Sequence, residues 1–493
     1  MSSIQNKLYS GVKFTSLATI LTTILQIVQM SVLGRELGPT IFGYIAIITI
    51  IVEYAMQFNI GLNEIVIQRK EISKSQLSSL YWFNVFAAVL FCVILMAGSS
   101  LIINGLGIQL DVLVLQTIAI VFVISAVGIQ FQSLALKSLD YRTVSLVDTI
   151  SGIIYFTVTV IALLVLNQGI WSYVWGQLAN HITRTSMLIY YGQRKSILPA
   201  LYFNVREITE FIRLGLYRLG ATSLYYISSR LDQIMIGAIL GSGALGYYAM
   251  ASKLVLQPIQ KLNPMIMRLT FPLFSKFQED RDKLRNGFFQ LLRIVSIVIA
   301  PLLMGIAVVA PVVVPLMLGN EWTNAIQIMQ ILTIYAFFRS MVNSTSSLML
   351  SQGKVKFLFV WNFSFAIALT ATLYLISTYV GDIAAVAWGL SILQMLSFVS
   401  SYWLRVRQSI GPCLVRLISS MGIPVVLASF MSLVVIISSS FMIYSDAINL
   451  LVEVTLGLAC YVILLVLFQR DFIANIQHMF KKQKKQKLGR YMG

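Results

Sequence analysis

Of the 493 residues, 58% are hydrophobic and 11% charged, and the mean hydropathy of +0.83 excludes a soluble globular domain. The formal net charge of +18 does not make a nucleic-acid reader, because that function needs basic residues clustered on a folded soluble domain and no segment provides one. What remains is an all-α integral membrane protein: many apolar runs exceed the roughly 20 residues that cross a ~30 Å hydrocarbon core, and none alternates like a barrel strand.

The first apolar run follows Lys7 and Lys13 and reaches Leu33. It is too long for a signal-peptide core and has no Ala-x-Ala-like site, so it is expected to stay as the first span. It leads into Leu33-Gly-Arg-Glu-Leu-Gly-Pro-Thr-Ile-Phe-Gly-Tyr-Ile-Ala-Ile47, and a second copy begins 203 positions later, Ile236-Gly-Ala-Ile-Leu-Gly-Ser-Gly-Ala-Leu-Gly-Tyr-Tyr-Ala-Met250. Gly34/Gly237, Leu37/Leu240, Gly38/Gly241, Gly43/Gly246, Tyr44/Tyr247 and Ala46/Ala249 are identical. In both copies a Gly-bearing turn is expected between two apolar runs. A chain that repeats its first helical hairpin halfway along is built from two similar halves, and in membranes such halves point to a transporter that rocks them around a shared site.

Fourteen spans are expected, at roughly 11–33, 40–60, 79–102, 111–134, 145–166, 169–191, 212–240, 243–274, 286–317, 323–350, 354–379, 383–405, 415–440 and 447–468. Alternate connections carry the basic residues: Arg69, Lys70, Lys74; Lys137, Arg142; Arg194, Lys195, Arg206; Lys276, Arg281, Lys283, Arg285; Lys354, Lys356; Arg405, Arg407; and the tail from Lys481. The other set holds Arg35 against Glu36, Asp111, Glu321, Asp382 and Asp446. This sorting puts both termini in the cytoplasm and explains the basic pI as topology. The expected organisation is 1–200 for the first six spans, 201–410 for the next six, 411–470 for the last two and 471–493 for a basic tail, solvated or touching anionic membrane lipid. Between the halves, Phe203–Arg213 reads either as a short amphipathic surface helix or as the plain start of span seven. The outer connections are short, with no room for an outer domain or an active-site lid.

Ionisable residues at depth are the candidate functional groups, because they need a cavity or a partner. Glu53 in span two reads as a neighbour's ion-pair partner or an ion-coupling site. Arg184, beside His181 in span six, and Arg339 in span ten read as phosphate contacts or structural donors, guanidinium matching phosphate geometry; His181 itself reads as a packing residue. In span seven Arg230 and Asp232 point away from each other and each needs company elsewhere. Arg230 is a candidate cavity cation; Asp232 titrates, pairs with Lys253 or caps a structural network. Span eight carries Lys253, Lys261 and Arg268 at spacings of eight and seven, a basic stripe on one helical face. Lys253 and Lys261 either line a cavity or bond to backbone carbonyls, and Arg268 lies where snorkelling suffices. Pro258, Pro264 and Pro272 each remove a donor from the same helix, as a gate or a static kink. Tyr225, Tyr226, Tyr247, Tyr248, Trp171, Trp175 and Trp388 fit an interfacial belt better than sugar stacking.

Nucleotide-binding and hydrolase motifs are missing, and Cys92, Cys413 and Cys460 lack metal-ligand spacing. No enzyme, cofactor or metal is therefore expected. Uphill transport would draw on H+ or Na+, on the substrate's own gradient or on a partner.

The ordered set Leu33-Gly-Arg-Glu-Leu-Gly-Pro with Phe42-Gly43, Gly61-Leu62 with Ile67-Gln-Arg-Lys-Glu-Ile-Ser73, Tyr81-Trp-Phe-Asn84, Ile236-Gly237 with Leu240-Gly241, Lys261-Leu-Asn-Pro264, Phe271-Pro272 and Gly319-Asn-Glu-Trp322 resembles the Wzx-type polysaccharide flippases of the multidrug/oligosaccharidyl-lipid/polysaccharide exporter superfamily, in particular their colanic acid exporter branch. The likeness spreads over roughly residues 1–410. It implies two six-helix lobes plus two C-terminal helices around a central cavity. It implies alternating access and an undecaprenyl-pyrophosphate-linked oligosaccharide as substrate, in lipopolysaccharide or exopolysaccharide synthesis at the bacterial inner membrane. It also implies polysaccharide polymerase and chain-length machinery as partners, and an acidic residue at Asp232. The rivals are a drug or precursor-lipid exporter of the same superfamily and a membrane-embedded polymerase or ligase.

Overall fold

In the computed structural model the described residues are 2–105, 107–276, 280–440 and 446–470; the side chains of 2–13, 55, 58–64, 221, 263–273, 275–276 and 355 are outside that description. The described chain is helical from end to end: α1 (Ser2–Gln68), α2 (Lys74–Gly105), α3 (Val112–Lys137), α4 (Tyr141–Leu164), α5 (Trp171–Arg194), α6 (Val205–Lys276), α7 (Arg281–Leu318), α8 (Thr323–Ser351), α9 (Val355–Tyr379), α10 (Ile383–Ser401), α11 (Arg407–Ile410), α12 (Leu414–Ser439) and α13 (Asp446–Phe468). A 3-10 turn (Asn320–Trp322) precedes α8, and a π-helical turn (Tyr402–Val406) joins α10 to α11. Among the described residues eleven helices are long and apolar enough to cross a membrane, so the chain is a multi-pass membrane protein. The amphipathic α5, with Gln177, Asn180, His181 and Arg184 along it, is not among them.

The Gly-bearing turns expected after spans one and seven each come down to one non-helical residue: within α1 and within α6 two helical arms meet across a kink, at Gly38 (φ 69°, ψ 176°) and at Gly241 (φ 86°, ψ 175°). That backbone region is open essentially to glycine alone. At the first break Pro39 opens the new arm, where a missing N–H removes no hydrogen bond. In α6 helical dihedrals continue through Pro258, so the break falls at Gly241 and not at that proline; Pro264, Pro272 and Arg268 have side chains outside the described residues. Of the segment Phe203–Arg213, the residues from Val205 on are the start of α6. Ile208 and Phe211 are buried against Ile65, Val66 and Leu80, and Arg69 lies over the Phe211 ring while pairing with Glu210.

Contacts divide the chain into two units, Met1–Ala249 with Met317–Glu321, and Met250–Leu316 with Trp322–Gly493. The first is built around α3, whose Val114, Ile118, Ala119, Val121 and Ala126 are wholly buried. Small residues let its helices close up. A Cβ on Gly176 would lie 2.0 Å from Thr159 Oγ1, and one on Gly128 2.9 Å from Thr185 Oγ1. Several polar groups in this interior pair with one another: Gln29 Nε2 donates to Thr159 Oγ1 (3.1 Å), Thr185 Oγ1 to the Ile124 carbonyl (2.8 Å), and Tyr173 OH meets Thr49 Oγ1 (2.9 Å) and Gln177 Nε2 (2.9 Å). Internal pairing of this kind is what a hydrocarbon surround favours.

In the second unit α8 and α10 pack together; Leu332 and Ala336 of α8 and Ala387 and Leu390 of α10 are buried, and Ser391 Oγ donates to the Ile331 carbonyl (3.1 Å). The α12–α13 pair lies on α7 through Ala300, Leu427, Ala428, Met431 and Tyr461. Leu433, Ile437, Leu458 and Leu467 remain exposed, as lipid-facing residues are. Asp280 caps α7, accepting from Lys283 N (3.1 Å), and the Lys283 ammonium at 2.6 Å holds its carboxyl below the usual carboxylate range.

Candidate functional site

The two repeated hairpins, in the first unit as far as Ala249, dock on each other. A Cβ on Gly43 would fall 1.9 Å from the Ser242 carbonyl oxygen, and one on Gly246 would fall 1.8 Å from the Pro39 carbonyl oxygen. Applying the repeat offset turns one contact into the other, since Pro39 corresponds to Ser242 and Gly43 to Gly246. The second arms of α1 and α6 therefore cross by a near-two-fold contact in which each helix sets its glycine on the other's backbone. The segment Met317–Glu321 is tied to this crossing: Ser31 Oγ and Arg35 Nε donate to the Met317 carbonyl (2.5 and 3.1 Å), Tyr247 OH to the Glu321 carbonyl (3.1 Å), and the Glu321 carboxylate faces Gly38. The neighbouring Trp322 side chain is fully buried.

One arm away from the crossing lies a polar network within the same unit. Arg230 Nη2 sits 2.5 Å from Glu53 Oε2. Tyr226, one helical turn before Arg230, donates its hydroxyl to Glu53 Oε2 and lies within 3.0 Å of the Ile50 carbonyl too, and its ring is beside Tyr54. Asp232, two residues on, faces elsewhere: its Oδ2 accepts from Tyr248 OH (2.5 Å), a bond that spans the α6 break, and its Oδ1 accepts from Gln233 N (2.9 Å). Glu53 thus meets Arg230, while Arg230 and Asp232 go separate ways. Tyr226 and Tyr248, expected at the membrane interface, are buried instead, because each hydroxyl has a carboxylate to satisfy and an apolar body to bury.

The other sequence candidates are scattered. Arg184 Nη2 lies 3.1 Å from Asp148 Oδ1, and His181 Nδ1 lies 2.8 Å from Ser125 Oγ. In the second unit Arg339 Nη1 donates to Tyr335 OH one turn earlier (3.1 Å). Lys253 and Lys261 are exposed on one face of α6, opposite the buried Ser252, Val255, Leu256 and Ile259. Arg405, expected in a basic loop, is only 1% exposed; its guanidinium lies 3.8 Å over the Trp361 ring and donates to Ser346 Oγ (3.3 Å). Among the described residues no group of three His, Cys, Asp or Glu side chains could hold a metal ion.

The sequence reading passed over three of these partners. Tyr226 and Tyr335 stand four residues before Arg230 and Arg339, an i,i+4 signal that was present. Asp148 gave none, because its pairing with Arg184 joins different helices.

A family model described as "Polysaccharide biosynthesis protein" matches residues 32–327. The chain is 30% identical to the lipopolysaccharide biosynthesis protein WzxC of Escherichia coli (strain K12), over 86% of this chain and 85% of that protein. It is 29% identical to the teichuronic acid biosynthesis protein TuaB of Bacillus subtilis (strain 168), over 94% and 96%. Among solved structures it matches the lipid II flippase MurJ in an inward closed conformation with a TM-score of 0.73, 15% identity and coverage of 93% of this chain and 99% of that one. That last likeness is one of fold.

Proposed function

We propose that this chain, which belongs to the polysaccharide biosynthesis protein family, is a flippase that carries lipid-linked oligosaccharide repeat units between the leaflets of the bacterial inner membrane. The observation that carries the reading is the near-two-fold docking of two kinked hairpins at Gly43 and Gly246. A contact in which each helix sets a glycine on the other's backbone can close and part as a carrier's halves must. The relatives' names place them in polysaccharide synthesis, and the fold shared with a lipid flippase supports movement of a lipid-borne head group. The substrate we assign is an undecaprenyl-pyrophosphate-linked oligosaccharide moved by alternating access. Lys253 and Lys261 would meet its pyrophosphate, with Arg230, Arg184, Arg339 and Arg268 as further cations.

Counting each kinked helix twice and adding α5 to the eleven apolar helices gives fourteen crossings, which supports two six-helix lobes at 1–200 and 201–410 followed by two helices at 411–470. With the alternation of basic connections, an even number of crossings supports a reading in which both termini lie in the cytoplasm. Short connections between helices favour transport over a membrane-embedded polymerase or ligase, which needs catalytic side chains outside. Polymerase and chain-length machinery would take over the delivered unit. Coupling to H+ or Na+ would fall to Glu53 or Asp232.

Deleting the gene and following the lipid-linked repeat unit tests the reading. It should accumulate on the inner leaflet; delivery to the outer leaflet at the normal rate refutes it.

A further inference from the structure

We propose that the turns closing α3 and α5 form a binding site for the phosphoryl group of an inner-leaflet lipid. The two turns and the start of α4 enclose a concavity of about 650 Å³ in the first unit. Lys137, Arg142 and Lys195 line it with the rings of Tyr141 and Tyr191. The one carboxylate in the lining, Asp140, is already committed: it caps α4 by accepting from Thr143 N (3.2 Å) and Thr143 Oγ1 (2.9 Å). Among the described residues none of the three cations has a carboxylate partner in an ion pair. The Arg142 guanidinium is backed by the Phe14 ring at 5.3 Å.

Both turns are built alike. Asp140 N bonds to the Ala135 carbonyl (2.9 Å) and Ile197 N to the Gly192 carbonyl (3.0 Å), each closing its helix through a left-handed residue, Leu139 (φ 59°) and Ser196 (φ 54°). The carbonyls of Leu134, Ala135 and Leu136 in α3 and of Tyr191, Gly192 and Gln193 in α5 are thereby satisfied by backbone, so those positions do not require the lysine ammonium groups. Helix-dipole complementation accounts for a lysine at each helix end. It does not account for Arg142, at the start of α4, sharing the same concavity. The charge rule assigns this end of the unit to the cytoplasmic leaflet, where phosphoryl head groups lie at the depth of the turns. The site is separate from the transport reading and stands whether or not the chain moves an oligosaccharide.

The test uses the full-length protein, purified and stripped of lipid, then offered phosphatidylglycerol, phosphatidylcholine or inorganic pyrophosphate, with bound ligand counted by native mass spectrometry. Wild type should retain phosphatidylglycerol. Lys137→Gln/Arg142→Gln/Lys195→Gln should lower that retention at least about tenfold, and Lys137→Arg/Arg142→Lys/Lys195→Arg should restore it. A control with the same charge change in other basic turns, Lys354→Gln/Lys356→Gln/Arg407→Gln, should change retention less than about twofold. Equal loss in both Gln variants, or loss in neither, overturns the proposal. Retention of pyrophosphate without phosphatidylglycerol overturns the lipid assignment and makes the ligand a soluble phosphate.

Discussion

A methyl group is the smallest change that probes the crossing of α1 and α6. Gly43→Ala and Gly246→Ala each drive a Cβ into a carbonyl oxygen of the facing backbone. No rotamer change relieves that clash, so the helices must move apart, at about 1–3 kcal/mol. The near-two-fold relation makes the two variants expected equals: similar losses of melting temperature and export, with Gly98→Ala, in open space, as the silent control. A large inequality between them would remove the symmetry argument. The Glu53–Arg230 pair is a test of different character. With side chains 42% and 31% exposed, its net worth to stability is about 1 kcal/mol or less, so Glu53→Gln and Arg230→Gln should fold. If the pair only joins helices, the exchange Glu53→Arg/Arg230→Glu should export better than either single variant in a complementation assay. If Glu53 carries a coupling ion, the exchange should stay inactive.

At the scale of the helix, α6 shows what its sequence discloses and what it withholds. Gly241 is legible because its motif appears twice, and a glycine returning before a fresh apolar run marks a backbone that other residues avoid. The face carrying Lys253 and Lys261 is legible from spacing alone, since eight residues return to within about 80° of the starting direction. Three prolines so close together draw attention away from Gly241, yet proline at position 258 leaves the dihedrals helical. Tyr248 reads as a membrane-interface aromatic because nothing local announces that Asp232, sixteen residues earlier, folds back toward it across the break. Periodicity reports which face a residue occupies and is silent on what meets that face; Asp148 with Arg184 and Arg405 over Trp361 are lost to sequence for the same reason. Because Lys253 and Lys261 stand on the exposed face, Lys253→Gln/Lys261→Gln should leave the melting temperature nearly unchanged. Export should fall on the order of tenfold or more, the loss expected when charge-assisted bonds to a phosphate are removed. Normal export in the double variant would leave the fold standing and take the lysines out of the substrate path.

At the scale of the whole molecule, the crossing at Gly43 and Gly246 must open if the chain exposes its cargo to the leaflet on that side, and it must close if the cargo is ever to be held from the other. One position reports on this directly. A Cβ at Gly243 would lie 3.6 Å from Thr40 Oγ1, so cysteines at these two positions are near enough to bridge. The native Cys92 and Cys413 are buried and Cys460 partly so, and they should be replaced first to leave one pair of thiols. Thr40→Cys/Gly243→Cys should then form a disulfide under mild oxidation, stop export while bridged, and recover on reduction. Each single variant, treated alike, should export throughout. Export that continues with the bridge formed would mean the two hairpins stay docked during turnover, and the opening would have to be sought elsewhere in the fold.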